Sequence, residues 1–264
     1  MRVLRAFLRR DWLIWSSYRF AFFWNILGVL TLVTLTYFIG SAVHADPTKF
    51  KGQATTFVSF ILAGLAFSDA FTTALAVFPQ SLRDAQLSGT LEPLLLTPIR
   101  VGHLLLASSL FRFAQSLVRL AMYALVGVIA LGYWRHASIL AALFVFVPAC
   151  LAFGLLGTLS AAFVLVLKQG DPIITGYAIV GGLFGGALFP IAVLPAWVRP
   201  ATSIFPLTYA LSGVRMTLEG APLTAVLPEL AALWAWVLVL LPISLIAFNF
   251  ALNHAKRSGT LVQY

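Results

Sequence analysis

Ile139-Leu-Ala-Ala-Leu-Phe-Val-Phe-Val-Pro-Ala-Cys-Leu-Ala-Phe-Gly-Leu-Leu-Gly-Thr-Leu-Ser-Ala-Ala-Phe-Val-Leu-Val-Leu167 contains no charged side chain over its whole length. A helix needs about 20 apolar residues to cross the ~30 Å hydrocarbon core of a bilayer, so this run predicts a transmembrane helix. The whole chain has the same character: its 264 residues are 61% hydrophobic and 9% charged, with a mean hydropathy of +0.98. We therefore expect an all-α, polytopic membrane protein.

Five further apolar runs have a length comparable with the first. They are Phe20 to Gly40, Ala54 to Phe78, Leu110 to Tyr133, Ile173 to Leu194 and Leu230 to Leu252. With the first run they predict six transmembrane helices, so residues 20–264 are expected to form one six-span transmembrane domain. Residues 1–19 place their arginines opposite an apolar face at helical spacing, which predicts an amphipathic helix in the membrane interface. A basic tail that serves only as a topology signal is the alternative.

The Lys and Arg side chains are distributed unevenly over the connections between these runs. If both termini are cytoplasmic, most of these side chains fall on the cytoplasmic side, which is the bias that membrane proteins have. Membrane orientation then explains the net charge of +9, and nucleic-acid binding is not needed to account for it. We expect a multi-pass protein of a cell membrane with cytoplasmic N- and C-termini.

Residues 190–228 are apolar but interrupted by proline. The prolines are Pro190, Pro195, Pro200, Pro206, Pro222 and Pro228. Because proline breaks a helix, this segment cannot be one continuous span, and the topology places it on the outer side. Short helices that re-enter the outer leaflet are predicted here, before the last span. The alternative is an ordinary extracellular loop, which would be more polar.

Motifs for catalysis or metal binding are missing from the sequence. It has no Gly-Lys dipeptide of a phosphate-binding loop, no His followed by Glu, and no Gly-x-Ser-x-Gly. The histidines are scattered over loops and span ends, and the single Cys150 lies inside an apolar run. The chain is therefore predicted to be no enzyme by itself and to hold no metal.

A short charged segment, residues 81–100, separates the second and third runs. Within it, Ser88 or Thr90 can cap a helix that Pro98 ends, which predicts one or two helical turns. This short helix presents leucines on the cytoplasmic surface, at Leu91, Leu94, Leu95 and Leu96. A helix so rich in leucine either fits a groove of a partner protein or lies against lipid, and the residues alone leave both readings open.

The same segment carries a family resemblance. Gly89-Thr-Leu-Glu-Pro-Leu-Leu-Leu-Thr-Pro98 resembles the signature of ABC transporter permeases of the type 2 exporter class. Leu188-Phe-Pro-Ile-Ala-Val-Leu-Pro-Ala-Trp197, Phe205-Pro-Leu-Thr-Tyr-Ala210 with Arg215, and the closing Arg257-Ser-Gly-Thr-Leu-Val-Gln-Tyr264 are similar to other elements of that family. The similarity covers essentially the whole chain.

Two positions depart from the family pattern. Ala85-Gln86-Leu87-Ser88 stands where many members have acidic residues, so that Asp84 is the nearest acid, and Phe205 replaces a common Asn. The first departure bears on the polar part of the contact with an ATPase, and the second is a local packing change.

The resemblance implies a permease subunit that exports an amphipathic or hydrophobic cargo, such as a lipid-linked glycan, a polysaccharide, a lipid or a drug. It implies that a separate ATP-binding cassette subunit, present in two copies, binds ATP and magnesium, while this chain binds no cofactor. A second permease copy completes the expected assembly, which would lie in the inner membrane of a prokaryote. Residues 81–100 would couple the ATPase to the spans through Gly89, Thr90, Leu91, Glu92, Leu94, Leu95 and Pro98.

The resemblance also places the transport pathway between two permease copies, partly along the second and fifth spans. The candidate pathway or dimer residues are Phe67, Phe71, Gly181, Gly182, Phe184, Gly185, Gly186 and Phe189. Gly181 with Gly185, and Gly182 with Gly186, form two overlapping patterns of small residues that allow helices to approach closely. Packing within one subunit is the alternative role for these glycines.

Two ionisable residues are predicted at matching depths in the membrane. Asp69 lies in the second run and Arg119 in the third, and because an unpaired charge is costly there, we expect an ion pair. In the alternative, Asp69 bonds only to neighbouring hydroxyls while Arg119, like Arg112, reaches the interface. If the pair coupled transport to an ion gradient, the chain would be a secondary transporter, which is the alternative function. A membrane-embedded enzyme or assembly factor is a third reading.

Overall fold

The computed structural model describes residues 9, 13, 19–42, 57–87, 101–130, 137–167 and 171–257, and all regular structure in them is helical. The long helices are α1 (Arg19–Ala42), α2 (Phe57–Leu87), α3 (Val101–Leu125), α4 (Ile139–Leu167), α5 (Asp171–Phe184) and α8 (Leu227–Arg257), with α6 (Arg199–Thr202) and α7 (Pro206–Leu218) between the last two. A π-helical turn, Val126–Ala130, extends α3, and 3-10 turns cover Ile191–Val193 and Leu223–Val226. The predicted all-α fold is confirmed for these residues.

Three helical stretches of the described chain are long and apolar enough to cross a membrane: Phe57–Asp84, Ile139–Val166 and Leu223–Ala255. Shorter apolar stretches lie at Ile26–Ile39, Ala114–Ile129 and Thr175–Phe184. The prediction of six full-length spans is therefore supported for three helices only.

The largest difference concerns the fifth predicted span, which was expected to reach Leu194. Helix α5 has 14 residues and ends at Phe184, so it is only ~21 Å long. The chain turns there because Gly186 has a φ of 77°, a left-handed conformation that favours glycine. Pro190 and a 3-10 turn follow, so the apolar composition continues beyond the end of the helix.

Helix α4 lies at the centre of the bundle, between α2 and α8. On one half of its length Phe153 packs with α2, α7 and α8 in a buried cluster that includes Phe71, Leu211 and Leu233. On the other half, Ala161 and Leu165 pack against the facing residues of α2 and α8. An ideal Cβ on Gly157 would lie 2.3 Å from the Ala74 carbonyl oxygen, so the backbones of α2 and α4 touch at this glycine.

Helix α1 lies at the edge of the bundle. Val29 and Val33 are buried against Leu62, Ala66 and Tyr123 of α2 and α3. Much of the remaining α1 surface is large, apolar and exposed, as expected of a helix that faces lipid. Only Arg9, Leu13 and Arg19 of the predicted interfacial helix, residues 1–19, are described, so that prediction lies largely outside the described residues.

The proline-rich segment 190–228 folds into short pieces, as the prolines predict. Helix α7 is the main element and is buried over most of its length, from Pro206 to Thr217. Its C-terminal end is joined to the start of α4, because the Ser138 amide donates a hydrogen bond of 2.8 Å to the Thr217 carbonyl. Re-entry of this segment into the outer leaflet stays a prediction.

Candidate functional site

Arg119 of α3 holds the middle of α2. Its Nε donates a hydrogen bond of 2.8 Å to Oδ2 of Asp69, and its Nη2 donates one of 2.7 Å to Oγ1 of Thr73. Asp69 and Thr73 are four residues apart, so one turn of α2 offers both acceptors to the planar guanidinium group. The Arg119 and Asp69 side chains are 24% and 33% exposed, so the pair is largely removed from the surface.

The threonine hydroxyls beside Asp69 have other partners. Oγ1 of Thr72 donates to the backbone carbonyls of Ser68 and Asp69, within its own helix. The structure therefore brings Asp69 and Arg119 together directly, and the alternative, in which Asp69 bonds only to nearby hydroxyls, is not the arrangement found.

Arg112 makes a second connection of the same kind, nearer the segment that joins the two helices. Its Nη1 donates a hydrogen bond of 2.6 Å to Oε1 of Gln80, and its Nη2 bonds to Oδ2 of Asp84. Helix α2 thus supplies both acceptors for Arg112, and its reach to the membrane interface stays a prediction. The pair is more open than the first, since the Arg112 and Asp84 side chains are 34% and 62% exposed.

We call these two connections the arginine clasp: Arg112 and Arg119 of α3 with Asp69, Thr73, Gln80 and Asp84 of α2. Each arginine donates to one carboxylate and one neutral oxygen, and the two residues that carry these acceptors are four positions apart on α2. The arginines are seven residues apart, which places both on the same face of α3. A partner was predicted for Arg119 only; the spacing of Gln80 and Asp84 was the signal that could have identified the second connection.

The two halves of the clasp flank the predicted coupling segment in the sequence. Helix α2 ends at Leu87 and α3 begins at Val101. The coupling residues predicted between them, from Gly89 to Pro98, lie outside the described residues, so their role stays a prediction. Asp84, the acid nearest to that segment, bonds to Arg112 of the same chain.

The candidate pathway phenylalanines do not share one environment. Phe71 is 0% exposed and meets Phe153 edge to face, with ring centroids 4.8 Å apart. Phe67 is buried and meets Phe146 at 6.1 Å. These two rings fill the contacts between α2 and α4, and Phe184 and Phe189 are half-buried. A role of these four rings in the transport pathway stays a prediction.

The candidate glycines also divide. Gly185 and Gly186 lie beyond the end of α5, so the two overlapping glycine pairs do not stand on one helix, and this expectation is corrected. Gly181 faces the interior, where an added Cβ would lie 3.0 Å from the Phe71 ring, and one on Gly185 would lie 2.3 Å from the Gly181 carbonyl oxygen. Nothing lies within 4 Å of an added Cβ at Gly182, so within the described residues this glycine is open to another molecule.

Arg215 of α7 makes a buried junction that the sequence reasoning missed. The residue is 3% exposed, and its guanidinium donates to the carbonyls of Gly186 at 2.8 Å, Ala187 at 3.1 Å and Phe60 at 3.1 Å. The guanidinium carbon lies 3.5 Å from the centre of the Phe60 ring, which is a cation–π contact. The sequence showed Arg215 only as part of a family-like element and predicted no partner for it; its position in an apolar segment was the available signal.

This junction explains why a cation tolerates burial there. The carbonyls just beyond the end of α5 lie at the negative end of that helix dipole, which favours a positive charge. Burial lowers the pKa of Arg215 to about 9, so the group is still charged at neutral pH. An ideal Cβ on Gly64 would lie 1.9 Å from the Ala187 oxygen and 2.9 Å from Nη2 of Arg215, so the junction requires glycine at this position.

Among the described residues, no group of three or more His, Cys, Asp or Glu side chains is arranged to hold a metal ion. The candidate site consists of the arginine clasp, the buried Arg215 junction and the open Gly182 position. Such an arrangement can transmit and resist movements of helices.

Comparison with known proteins gives one family and two relatives, and each of them matches most of the chain. The family described as "ABC-2 family transporter protein" matches residues 43–246. The chain is similar to "Nodulation protein J" of Rhizobium meliloti (strain 1021), with 27% identity over 245 residues that cover 89% of this chain and 88% of the relative. It is also similar to "Nodulation protein J" of Rhizobium leguminosarum bv. trifolii, with 24% identity over 239 residues and the same coverage of both chains.

Proposed function

The chain belongs to the ABC-2 family of transporter proteins, and from this premise we propose that it is the membrane subunit of an ATP-driven exporter. Permeases of this family work with an ATP-binding cassette partner. In our proposal two copies of that partner bind ATP and magnesium, and two copies of the present chain form the membrane part. The complex lies in the inner membrane of a prokaryote and moves an amphipathic or hydrophobic cargo out of the cytoplasm.

The arginine clasp is the observation that carries this proposal. Any movement imposed on residues 88–100 acts on the ends of α2 and α3, which Arg112 and Arg119 hold together. Because two ionic contacts at different depths resist sliding, the helix pair moves as one body. A rigid pair can carry a displacement from the cytoplasmic surface into the membrane, provided that the partner contacts it differently in its two states.

The contact with the ATPase is proposed to be apolar. Leu91, Leu94 and Leu95 would fill a groove of the partner, with Glu92 in the first turn of the short helix. Gly89, Thr90 and Pro98 would set the ends of that helix. This fits the engagement of Asp84 with α3, which leaves the leucines as the main contact surface.

The topology in this proposal has six spans, formed by α1 to α5 and α8, with both termini cytoplasmic. The clasp then extends from the middle of α2 towards its cytoplasmic end, and the Arg215 junction lies on the outer side. Helix α5 is proposed to face the second permease copy, because Gly182 is open and Ile179, Val180 and Leu183 around it are exposed. The cargo classes that suit such a pathway are a lipid-linked glycan, a polysaccharide, a lipid or a drug.

The test is a double substitution, Leu94→Asp with Leu95→Asp, in the chain co-expressed with its ATPase subunit. Two carboxylates in an apolar groove would each have to be desolvated, so we expect loss of copurified ATPase and of export while the permease remains inserted. Leu227→Asp is the matched control, since Leu227 is 50% exposed at the opposite end of the molecule. Unchanged copurification and export in the double variant would contradict the proposed coupling.

The secondary-transporter alternative is decided by the energy source. It rests on Asp69 and Arg119, and in the structure these two charges bond to each other. In vesicles that contain the complex, export should stop when ATP hydrolysis by the partner is blocked and should continue when the proton gradient is collapsed. The opposite pattern would favour the secondary transporter.

A further inference from the structure

A crevice with a volume of about 320 Å³ opens between α2, α3 and α4. Phe67 and Ala70 of α2, Leu120 of α3 and Phe146 of α4 are among the residues that line it. Ser116 contributes the one hydroxyl of the lining and is itself 6% exposed. The crevice is thus an almost wholly apolar concavity, and its volume is at the lower end of the ~300–1,000 Å³ typical of small-molecule sites.

The crevice lies at the depth of the hydrocarbon core. Ala70 is near the centre of the candidate span Phe57–Asp84, roughly 20 Å from either end at 1.5 Å per residue. The mouth is open, because Leu117, Val147 and Leu151 at its lining are 48%, 46% and 46% exposed. At this depth the medium outside the protein is lipid hydrocarbon.

The shape of the crevice indicates which occupant fits. Helices that pack in a membrane usually meet through small residues, which let their backbones approach. The exposed lining consists instead of leucine and valine, and the surface that it forms is concave and not flat. A flexible hydrocarbon chain can enter such a hollow, whereas a helix of a second copy would lie across it and leave it empty.

The inner wall of the crevice is held in place by aromatic contacts. Phe67 meets Phe146 edge to face at 6.1 Å, and Phe153, which also lines the crevice, meets Phe71 at 4.8 Å. Because these rings fix α2 against α4, they define the shape of the inner wall. Ordering of the protein therefore costs little when a chain enters.

We propose that this crevice is a binding site for one acyl chain of a membrane phospholipid. The bound chain would complete the packing between α3 and α4 on the lipid-facing side of the subunit. The inference rests on the membrane placement of α2 and α4 and not on ATP-driven export, so either could fail without the other.

The experiment uses the full chain in lipid nanodiscs that contain phosphatidylcholine with a mid-chain diazirine at a low, varied mole fraction. After illumination, the labelled peptides are mapped by mass spectrometry. We expect labelling of the regions around Leu117 and Leu151 that saturates as the probe fraction rises. Ile246 and Phe250 of α8, which are 69% and 70% exposed, should be labelled weakly and in proportion to the probe.

Variants link the labelling to the crevice. Ala70→Phe should lower crevice labelling about tenfold, because losing the contacts of even two methylene groups has that effect on affinity. Leu143→Phe is the matched control on α4, since Leu143 is 56% exposed and does not line the crevice. Ala70→Val is a milder filling variant, expected to give an intermediate loss if Ala70→Phe does not fold.

Three results would overturn the proposal. The first is labelling that follows exposure alone, without saturation and without an effect of Ala70→Phe. The second is a peptide-to-peptide crosslink across the crevice, which would assign it to another protein chain. The third is saturable labelling by a photoreactive polyprenyl phosphate but not by the phospholipid, which would assign the crevice to a lipid carrier.

Discussion

The arginine clasp contains two ion pairs on the same two helices that differ in exposure, and this difference predicts their energies. At the 2.8 Å separation of Arg119 and Asp69, the Coulomb attraction is ~6 kcal/mol for an effective dielectric constant of 20. Desolvation offsets much of this, so we expect a coupling energy of about 1–3 kcal/mol. The pair of Arg112 and Asp84, whose carboxylate is 62% exposed, should reach at most ~1 kcal/mol.

Two double-mutant cycles measure these quantities. One combines Asp69→Ala with Arg119→Ala, and the other combines Asp84→Ala with Arg112→Ala. Asp69→Ala alone leaves an arginine at membrane depth without its carboxylate, a situation that costs about 2.5–3.5 kcal/mol on insertion scales. The free energy of unfolding is followed by circular dichroism during SDS titration in mixed micelles, with the wild-type chain as reference.

A charge exchange tests the same contact in function. Asp69→Arg and Arg119→Asp should each impair assembly or export, and the double exchange should restore part of both. The reasoning is refuted if the double variant is no better than the worse single variant. It is equally refuted if the exposed pair of Arg112 and Asp84 shows the larger coupling energy, because exposure would then not control the strength of the clasp.

Three further predictions concern the glycines and the buried arginine. Gly64→Ala should destabilise the chain by about 1–3 kcal/mol, because its Cβ would overlap a carbonyl. Gly28→Ala is the control and should leave the stability unchanged, because nothing lies within 4 Å of an added Cβ there. Thermal unfolding of the two variants measures this difference in stability. Arg215→Lys should cost about 1–3 kcal/mol by the same measurement, since one ammonium group cannot reach all three carbonyls. Gly182→Leu should leave the stability of the isolated subunit unchanged but reduce cysteine crosslinking between copies or block export. Gly181→Leu, the control, should destabilise the subunit itself. Normal crosslinking and export in Gly182→Leu would show that this glycine has no role between subunits.

Much of the helical framework could be predicted from the sequence because it follows from local composition. A run such as 139–167 has no charge to place in water, so it must be a buried or membrane helix wherever it lies in the fold. Prolines of 190–228 likewise mark helix starts, because Pro200, Pro206 and Pro228 each occupy the first or second position of a helix, where the missing amide proton has little cost. The end of α5 at Phe184 was missed, since apolar composition continues past it and only the left-handed Gly186 marks the turn.

For the candidate site, the sequence by itself determined which residues carry a charge at membrane depth, and the cost of a lone charge there made a partner for Asp69 necessary. Only the tertiary structure decided the partners, because the rotation and register of α3 against α2 place Arg119 beside Asp69 and Arg112 beside Asp84. The Arg215 junction shows the same limit: its acceptors lie on the backbones of α2 and the turn after α5, far away in sequence. Backbone carbonyls have no residue type, so no sequence pattern reveals them, and only their approach in the folded chain does.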